Sequence, residues 1–143
     1  MAKMKAILVA VDGSETSDRA VRHALDLLSA GPSAELHFLN VQPNLGGAVS
    51  TFVSREQIES HHREEGTKAL ASSVDLAKKS SVPAKVHIGV GRQGEIVGDY
   101  VDKLGAGMVV LGTRGHTGLA GVLLGSVAQD VIAHSKVPVV LVK

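Results

Sequence analysis

The sequence contains no cysteine and no tryptophan, and its aromatic residues are one tyrosine and two phenylalanines. Without cysteine the chain can form neither a disulfide framework nor a thiol nucleophile. Three aromatic side chains are too few to build the stacking surfaces on which single-stranded nucleic acids bind. The core of this chain must therefore be aliphatic, and disulfide and thiol chemistry are excluded.

An excess of charge and a long apolar run are also missing. Lys and Arg number 15 against 14 for Asp and Glu, which leaves a net charge of +1. A near balance of this kind argues against a protein organised around a basic surface for nucleic acid or membrane. No apolar run approaches the roughly 20 residues that a membrane span requires, and no cleavable leader is recognisable. We expect a single cytoplasmic domain over residues 1–143, with neither nucleic acid nor membrane as a partner.

Apolar runs alternate with segments of helical period along the whole chain. Residues 5–11 are apolar on both faces, which is typical of a strand covered by helices on both sides. A helix is predicted from Ser14 to the Gly31-Pro32 stop, and residues 42–54 form a loop. Further strands are predicted at 34–41, 84–90, 107–111 and 138–142, and further helices at 55–80, 94–104 and 126–135.

The predicted order of elements, βαβαβαβαβ, indicates an α/β fold. Connections of helical length favour parallel neighbours, and hence a three-layer α/β/α sandwich around a five-stranded parallel sheet. A strand order of 3-2-1-4-5 opens a crevice between the carboxyl ends of strands one and four, where ligands bind in such sheets. Asp12 follows strand one, and a glycine-rich loop follows strand four.

The glycine-rich loop from Gly112 to Ser126 holds five glycines in fifteen residues. Main-chain amides that no side chain covers bind phosphate oxygens, and the start of the next helix adds unpaired N–H groups and a partial positive charge. The pattern therefore predicts a phosphate-binding site. Two other interpretations remain open at this point: a plain surface loop, and a capping box formed by Ser126 and Gln129.

Three other patterns give weaker or no support for a binding site. The lysine and spacing of a P-loop are absent. Residues 89–94 match GxGxxG, but they follow the third predicted strand, and the next strand ends without an acidic residue, so dinucleotide or flavin binding is a weak alternative. His61 and His62 are adjacent on a helix and point in different directions, and no zinc-type spacing occurs.

Gly112, Gly115 and Gly125-Ser126 form the pattern G-x2-G-x9-G-[ST]. With the segments ILVAVDGSETS, LNV, VVLGTRG, LLGSVAQDVI and VPVVLVK, the chain resembles the ATP-binding branch of the universal stress protein family over nearly its whole length. The resemblance implies a Rossmann-like, adenine nucleotide alpha hydrolase-like fold. One departure is Gln93, at a position where the family pattern G-x-P-x-E-x-I often has proline.

The resemblance implies that ATP, or AMP or ADP, binds in the crevice together with Mg²⁺. Asp12 would face the nucleoside, and the backbone of Val41 would contact adenine. The residues expected at the site are Ala10, Val11, Asp12, Val41, Leu111, Gly112, Arg114, Gly115, Gly125, Ser126 and Val127. Asp12 has an alternative role in an Asx turn or helix cap, and Arg114 and His116 lie either over the phosphates or in solvent.

The resemblance implies a regulatory role in the stress response. No general base or pair of carboxylates stands in the loop, which argues against rapid catalysis. The alternative is a slow ATPase or autophosphorylating enzyme that uses Thr113, Thr117 or Ser126. The final strand, within residues 137–142, is an apolar edge. The resemblance implies that a homodimer forms through it.

Overall fold

The computed structural model describes residues 4–31, 33–47, 51–114 and 124–143. Strands and helices alternate along the chain, as the sequence predicts. In order they are β1 (Ala6–Ala10), α1 (Glu15–Ala30), β2 (Glu35–Gln42), α2 (Arg55–Lys79), β3 (Ala84–Val90), α3 (Gln93–Leu104), β4 (Ala106–Gly112), α4 (Ser126–His134) and β5 (Val139–Val142).

The sheet has the order β3-β2-β1-β4-β5, and every pair of neighbouring strands is parallel. This confirms the predicted order. In the central strand, Val9 lies opposite Phe38 of β2 and Val110 of β4. The carboxyl end of β1 is thus flanked by the carboxyl ends of β2 and β4, which creates the predicted crevice.

Both faces of the sheet are covered, because successive side chains of β1 enter different cores. Ile7 and Val9 belong to a cluster that includes Val21 and Leu25 of α1 and Leu70 of α2. Ala6 and Leu8 belong to a second cluster, which takes Val97 and Val101 from α3 and Val131 from α4. The three-layer α/β/α sandwich is confirmed, and the aliphatic composition of β1 follows from burial on both sides.

The last strand is shorter than predicted. It begins at Val139, because Pro138 has no amide hydrogen for the ladder. The carbonyl of Pro138 still accepts the N–H of Val109 at 3.0 Å. Within the described ranges, no helix combines the length and apolarity needed to cross a membrane.

The helix starts differ in how they are capped. The Ser14 hydroxyl caps α1, and Ser54 with Gln57 forms a capping box at α2. The capping box predicted from Ser126 and Gln129 is wrong. Ser126 is already the first helical residue of α4, and Gly125 occupies the N-cap, where it has no side chain with which to cap the helix. The Gln129 amide instead donates to the carbonyl of Leu124 at 3.0 Å.

Candidate functional site

The end of β1 is held in place by a buried asparagine of β2. The Val11 N–H donates to the Leu39 carbonyl at 2.9 Å, and the Val11 carbonyl accepts Asn40 Nδ2 at 2.8 Å. Asn40 is 4% exposed, so this contact is shielded from water. Asn40 is a residue that the sequence analysis missed, although a polar side chain inside the apolar run Phe38–Val41 was a visible signal.

Asp12 begins the turn that leaves the sheet. Its Oδ1 accepts the N–H of Ser14 at 2.9 Å, and its own N–H donates to Ser17 Oγ at 3.1 Å. Gly13 makes the turn with φ +84°, a conformation that suits glycine. The Asx-turn interpretation of Asp12 is therefore confirmed. A carboxylate has two oxygens and several lone pairs, so this turn is compatible with a contact to a ligand.

The backbone of Val41 faces the crevice. Successive residues of a strand bond to alternate sides in a parallel sheet. Leu39 bonds to β1, and the Gln42 carbonyl accepts Gly91 N–H on the β3 side at 3.0 Å. Val41 therefore directs its N–H and C=O toward the β1 side, where β1 has already ended. Its carbonyl accepts Gln93 Nε2 from α3 at 3.1 Å, a contact that sequence analysis did not anticipate.

The other wall of the crevice is the junction of β4 and α4. The Thr113 N–H donates to the Val142 carbonyl at 2.9 Å, and the Thr113 carbonyl accepts the Gly125 N–H at 2.6 Å. This second bond brings the start of α4 beside the end of β4. The first amides of the helix, from Ser126 onward, carry the partial positive charge of a helix N-terminus.

The structure gives different reasons for the two described glycines of the motif. A Cβ at Gly112 would stand 2.5 Å from Thr16 Cγ2 and 3.2 Å from the Thr16 main-chain carbon. Packing of β4 on the first turn of α1 therefore explains Gly112 without a ligand. A Cβ at Gly125 would stand 3.1 Å from the Thr113 carbonyl oxygen, so a side chain there presses on the β4–α4 junction.

The remaining predicted site residues fall into buried and exposed groups. Leu111 is buried in the same cluster as Val41 and Ala128 of α4, whereas Arg114, Ser126 and Val127 are exposed. Gly115, His116 and Thr117 lie outside the described residues. The fold brings most of the predicted residues to the carboxyl ends of the strands. They are Ala10, Val11, Asp12, Val41, Leu111, Gly112, Arg114, Gly125, Ser126 and Val127.

The glycines of the GxGxxG segment have a packing explanation. The segment follows β3, an edge strand, and not β1 or β4, the two strands between which the crevice opens. A Cβ at Gly89 would overlap Ile96 Cγ2, and a Cβ at Gly94 would lie 2.5 Å from the Asp130 carbonyl oxygen. The Gly94 N–H donates to Asp130 Oδ2 at 2.6 Å. The Gly89 contact packs β3 against α3, and the Gly94 contacts dock α3 on α4, so both glycines are explained without a dinucleotide.

Histidines form a hydrogen-bonded pair away from the crevice. His37 Nδ1 and His87 Nε2 are 2.8 Å apart, with Glu35 3.4 Å from His37 Nε2. Burial lowers the pKa of His87 below its ordinary value of 6.5, and the nearby charges of His37 and Lys85 lower it further. Across the described part of the chain, no group of three or more His, Cys, Asp or Glu side chains is arranged to hold a metal ion.

Comparisons with known proteins agree with this architecture. Residues 3–143 match the model of the universal stress protein family. Universal stress protein MJ0531 of Methanocaldococcus jannaschii is 31% identical over 141 residues, which is 97% of this chain and 82% of that protein.

Two solved structures of universal stress proteins contain nucleotides. One is a complex with cAMP, 25% identical, with a TM-score of 0.73 and coverage of 99% of both chains. The other, from Archaeoglobus fulgidus, is a complex with dAMP, also 25% identical, with a TM-score of 0.71 and coverage of 99% of this chain and 100% of that one. Because the family model spans nearly the whole sequence, this protein belongs to the universal stress protein family.

Proposed function

We propose that this protein binds ATP in the crevice between β1 and β4 and acts in the cytoplasm as a nucleotide-dependent regulator of the stress response. One observation carries the proposal. The crevice sets the Asp12 turn and the Val41 backbone against the start of α4, whose N-cap residue is Gly125 and offers no capping side chain. The cAMP and dAMP complexes of relatives support it, since both ligands combine adenine, a sugar and a phosphate.

The polar groups around the crevice match the parts of a nucleotide. The amides that begin α4, with the exposed Ser126 hydroxyl, suit phosphate oxygens. Asp12 suits a sugar hydroxyl, and the Val41 backbone offers one donor and one acceptor to a base. Mg²⁺ prefers oxygen ligands, and the phosphate oxygens of the nucleotide would supply them. The ion would offset the negative charge of the triphosphate.

The bonding of the Asp12 carboxylate supports a regulatory role rather than rapid catalytic turnover. Its Oδ1 is committed to the Ser14 N–H, and this turn limits its freedom to act as a general base. The second candidate is slow transfer of the γ-phosphoryl group to a loop hydroxyl, with release of ADP and the hydroxyl proton. The exposure of Ser126 favours it over the buried Thr113. Radiolabelled γ-phosphate on the protein would identify this activity, and Ser126→Ala would remove the label.

Thermal unfolding with ATP, ADP, AMP and dAMP tests the binding proposal. A ligand at a hundredfold its Kd adds about 2.7 kcal/mol to the free energy of unfolding, which raises the Tm of a domain this size by several degrees. Gly125→Val should abolish the rise, because its side chain presses the Thr113 carbonyl away from the start of α4.

Gly46→Val is the matched control. A Cβ at Gly46 meets nothing within 4 Å, so this variant should keep the nucleotide-dependent rise. An equal rise in Gly125→Val and in the wild type would contradict the assigned phosphate position. Absence of any rise in the wild type would end the proposal of nucleotide binding.

We further propose a homodimer through residues 137–142. The β5 strand pairs with β4 and forms an edge of the sheet, and its Leu141 is 38% exposed. An unprotected apolar edge favours pairing with another strand. Light scattering should show a dimer at micromolar concentration, and Leu141→Lys should shift it toward the monomer. A monomeric wild type would refute the proposal.

A further inference from the structure

Gln93 stands at the end of the crevice where the base would lie. It is the first residue of α3 and is partly buried. Its side-chain amide donates to the Val41 carbonyl at 3.1 Å, across 52 positions of sequence. The start of α3 is held in turn by the Gly94 N–H, which donates to Asp130 Oδ2 at 2.6 Å. The main chain beside Gln93 is therefore held by Asp130, and the amide nitrogen of its side chain is held by Val41.

The chemistry of a carboxamide decides which of its atoms a ligand meets. The nitrogen must face the Val41 carbonyl, because two oxygens would repel each other. The Gln93 Oε1 is then the atom that a base can use as an acceptor. The Val41 carbonyl has a second lone pair. This end of the crevice accordingly presents two acceptor oxygens from two different elements.

Two acceptors suit one kind of purine. The 6-amino group of adenine has two hydrogens to donate, whereas the 6-oxo group of hypoxanthine or guanine is itself an acceptor and would be repelled. Acceptance of the adenine 6-amino group by a glutamine Oε1 is one half of the bidentate pairing by which glutamine reads adenine in DNA. We propose that Gln93 is a specificity-determining residue that, with the Val41 carbonyl, selects a 6-aminopurine over a 6-oxopurine; this rests on the nucleotide site proposed above.

The test compares AMP with IMP, which share sugar and phosphate and differ at position 6 of the base. Isothermal titration gives both dissociation constants for the wild type and for Gln93→Met, a variant of similar length without the amide. The wild type should prefer AMP. The ratio of the IMP to the AMP constant should fall roughly threefold to tenfold in Gln93→Met, as expected for one lost hydrogen bond.

Arg92→Met is the matched control, because it places the same new side chain one residue earlier. Arg92 pairs with Glu95 and Asp130 at 3.4 and 3.6 Å and does not contact Val41. Its IMP to AMP ratio should equal that of the wild type. The ratio, unlike either constant alone, is insensitive to a general loosening of the fold, and the Tm of each variant without nucleotide checks its folding.

The outcomes separate the two proposals. Failure of the wild type to bind AMP, IMP and ATP would overturn both. Binding of AMP with an unchanged ratio in Gln93→Met would overturn the role of Gln93 alone. Tighter AMP binding in that variant would do the same, since it would make Gln93 an obstruction.

A second measurement, by NMR, uses the wild-type protein; a variant is needed only to assign the signals. The Gln93 side-chain amide signals of the wild type should shift with AMP but not with ribose 5-phosphate. Equal responses to the two ligands would refute the contact.

Discussion

Gly94 offers a sharp test of whether the GxGxxG segment serves packing or a ligand. An alanine Cβ at this position would stand 2.5 Å from both the Asp130 carbonyl oxygen and His134 Nδ1, on α4. The carbonyl is backbone and cannot rotate away, so α3 and α4 must move apart. Forcing an extra carbon into a packed interface costs about 1–3 kcal/mol. The helix-propensity gain from glycine to alanine returns less than about 1 kcal/mol in a first turn.

We therefore expect Gly94→Ala to lower the free energy of unfolding by roughly 1–2 kcal/mol, with a Tm about 2–6 °C lower. Gly98→Ala, one turn further along the same helix, is the matched control. A Cβ at Gly98 meets the His134 carbonyl oxygen at 3.7 Å, an ordinary contact. That variant should be stabilised by up to about 1 kcal/mol, because alanine favours a helix interior.

Urea unfolding of the two variants and the wild type measures whether each substitution lowers or raises the free energy of unfolding. Titration with AMP and NAD then shows whether a ligand depends on the segment. If Gly94→Ala proved as stable as Gly98→Ala, the packing explanation would be refuted. Loss of NAD binding at unchanged stability would restore the dinucleotide interpretation.

Three further predictions concern polar groups that are buried or partly buried. Ser73 is 0% exposed, and its hydroxyl has no hydrogen-bond partner within the described residues; Ser73→Ala should raise the free energy of unfolding by up to about 1 kcal/mol in urea titrations, and a loss would reveal a hidden partner. Asn40→Leu removes the donor to the Val11 carbonyl and should cost about 1–3 kcal/mol and weaken AMP binding, whereas an unchanged Tm would contradict its role. The free energy of unfolding should fall as the pH drops below 6.5, because the pKa of His87 is lowered in the folded state and the unfolded state therefore binds the proton first. In melts at several pH values, His87→Gln should reduce the slope of stability against pH; an unchanged slope would assign the effect to other groups.

The parallel α/β architecture could be predicted because its signals are local. The apolar run in β1 shows burial on both faces, and the helical spacing between strands favours parallel crossovers. Periodicity alone does not establish the order 3-2-1-4-5; that order was inferred because it brings Asp12 and the glycine loop together at one crevice. The start of α1 at Ser14 was predicted from local signals, since a cap involves residues a few positions apart.

The same local reasoning failed at α4, where Ser126 and Gln129 have the spacing of a capping box but stand one position too far into the helix. The order of residue types did not distinguish an N-cap from a first helical residue. That choice depends on where the chain from β4 meets the helix, and the bond between Thr113 and Gly125 sets it.

The sequence by itself determined the succession of elements and the burial of β1 on both faces, and its resemblance to a family indicated the nucleotide expected at the carboxyl ends of the strands. The tertiary structure alone decided that Gly112 and Gly94 make room for Thr16 and Asp130, and that Gln93 reaches Val41. The physical reason is distance along the chain. Periodicity and capping act over a few residues, whereas these contacts join elements that meet only after the sheet and its helices have packed.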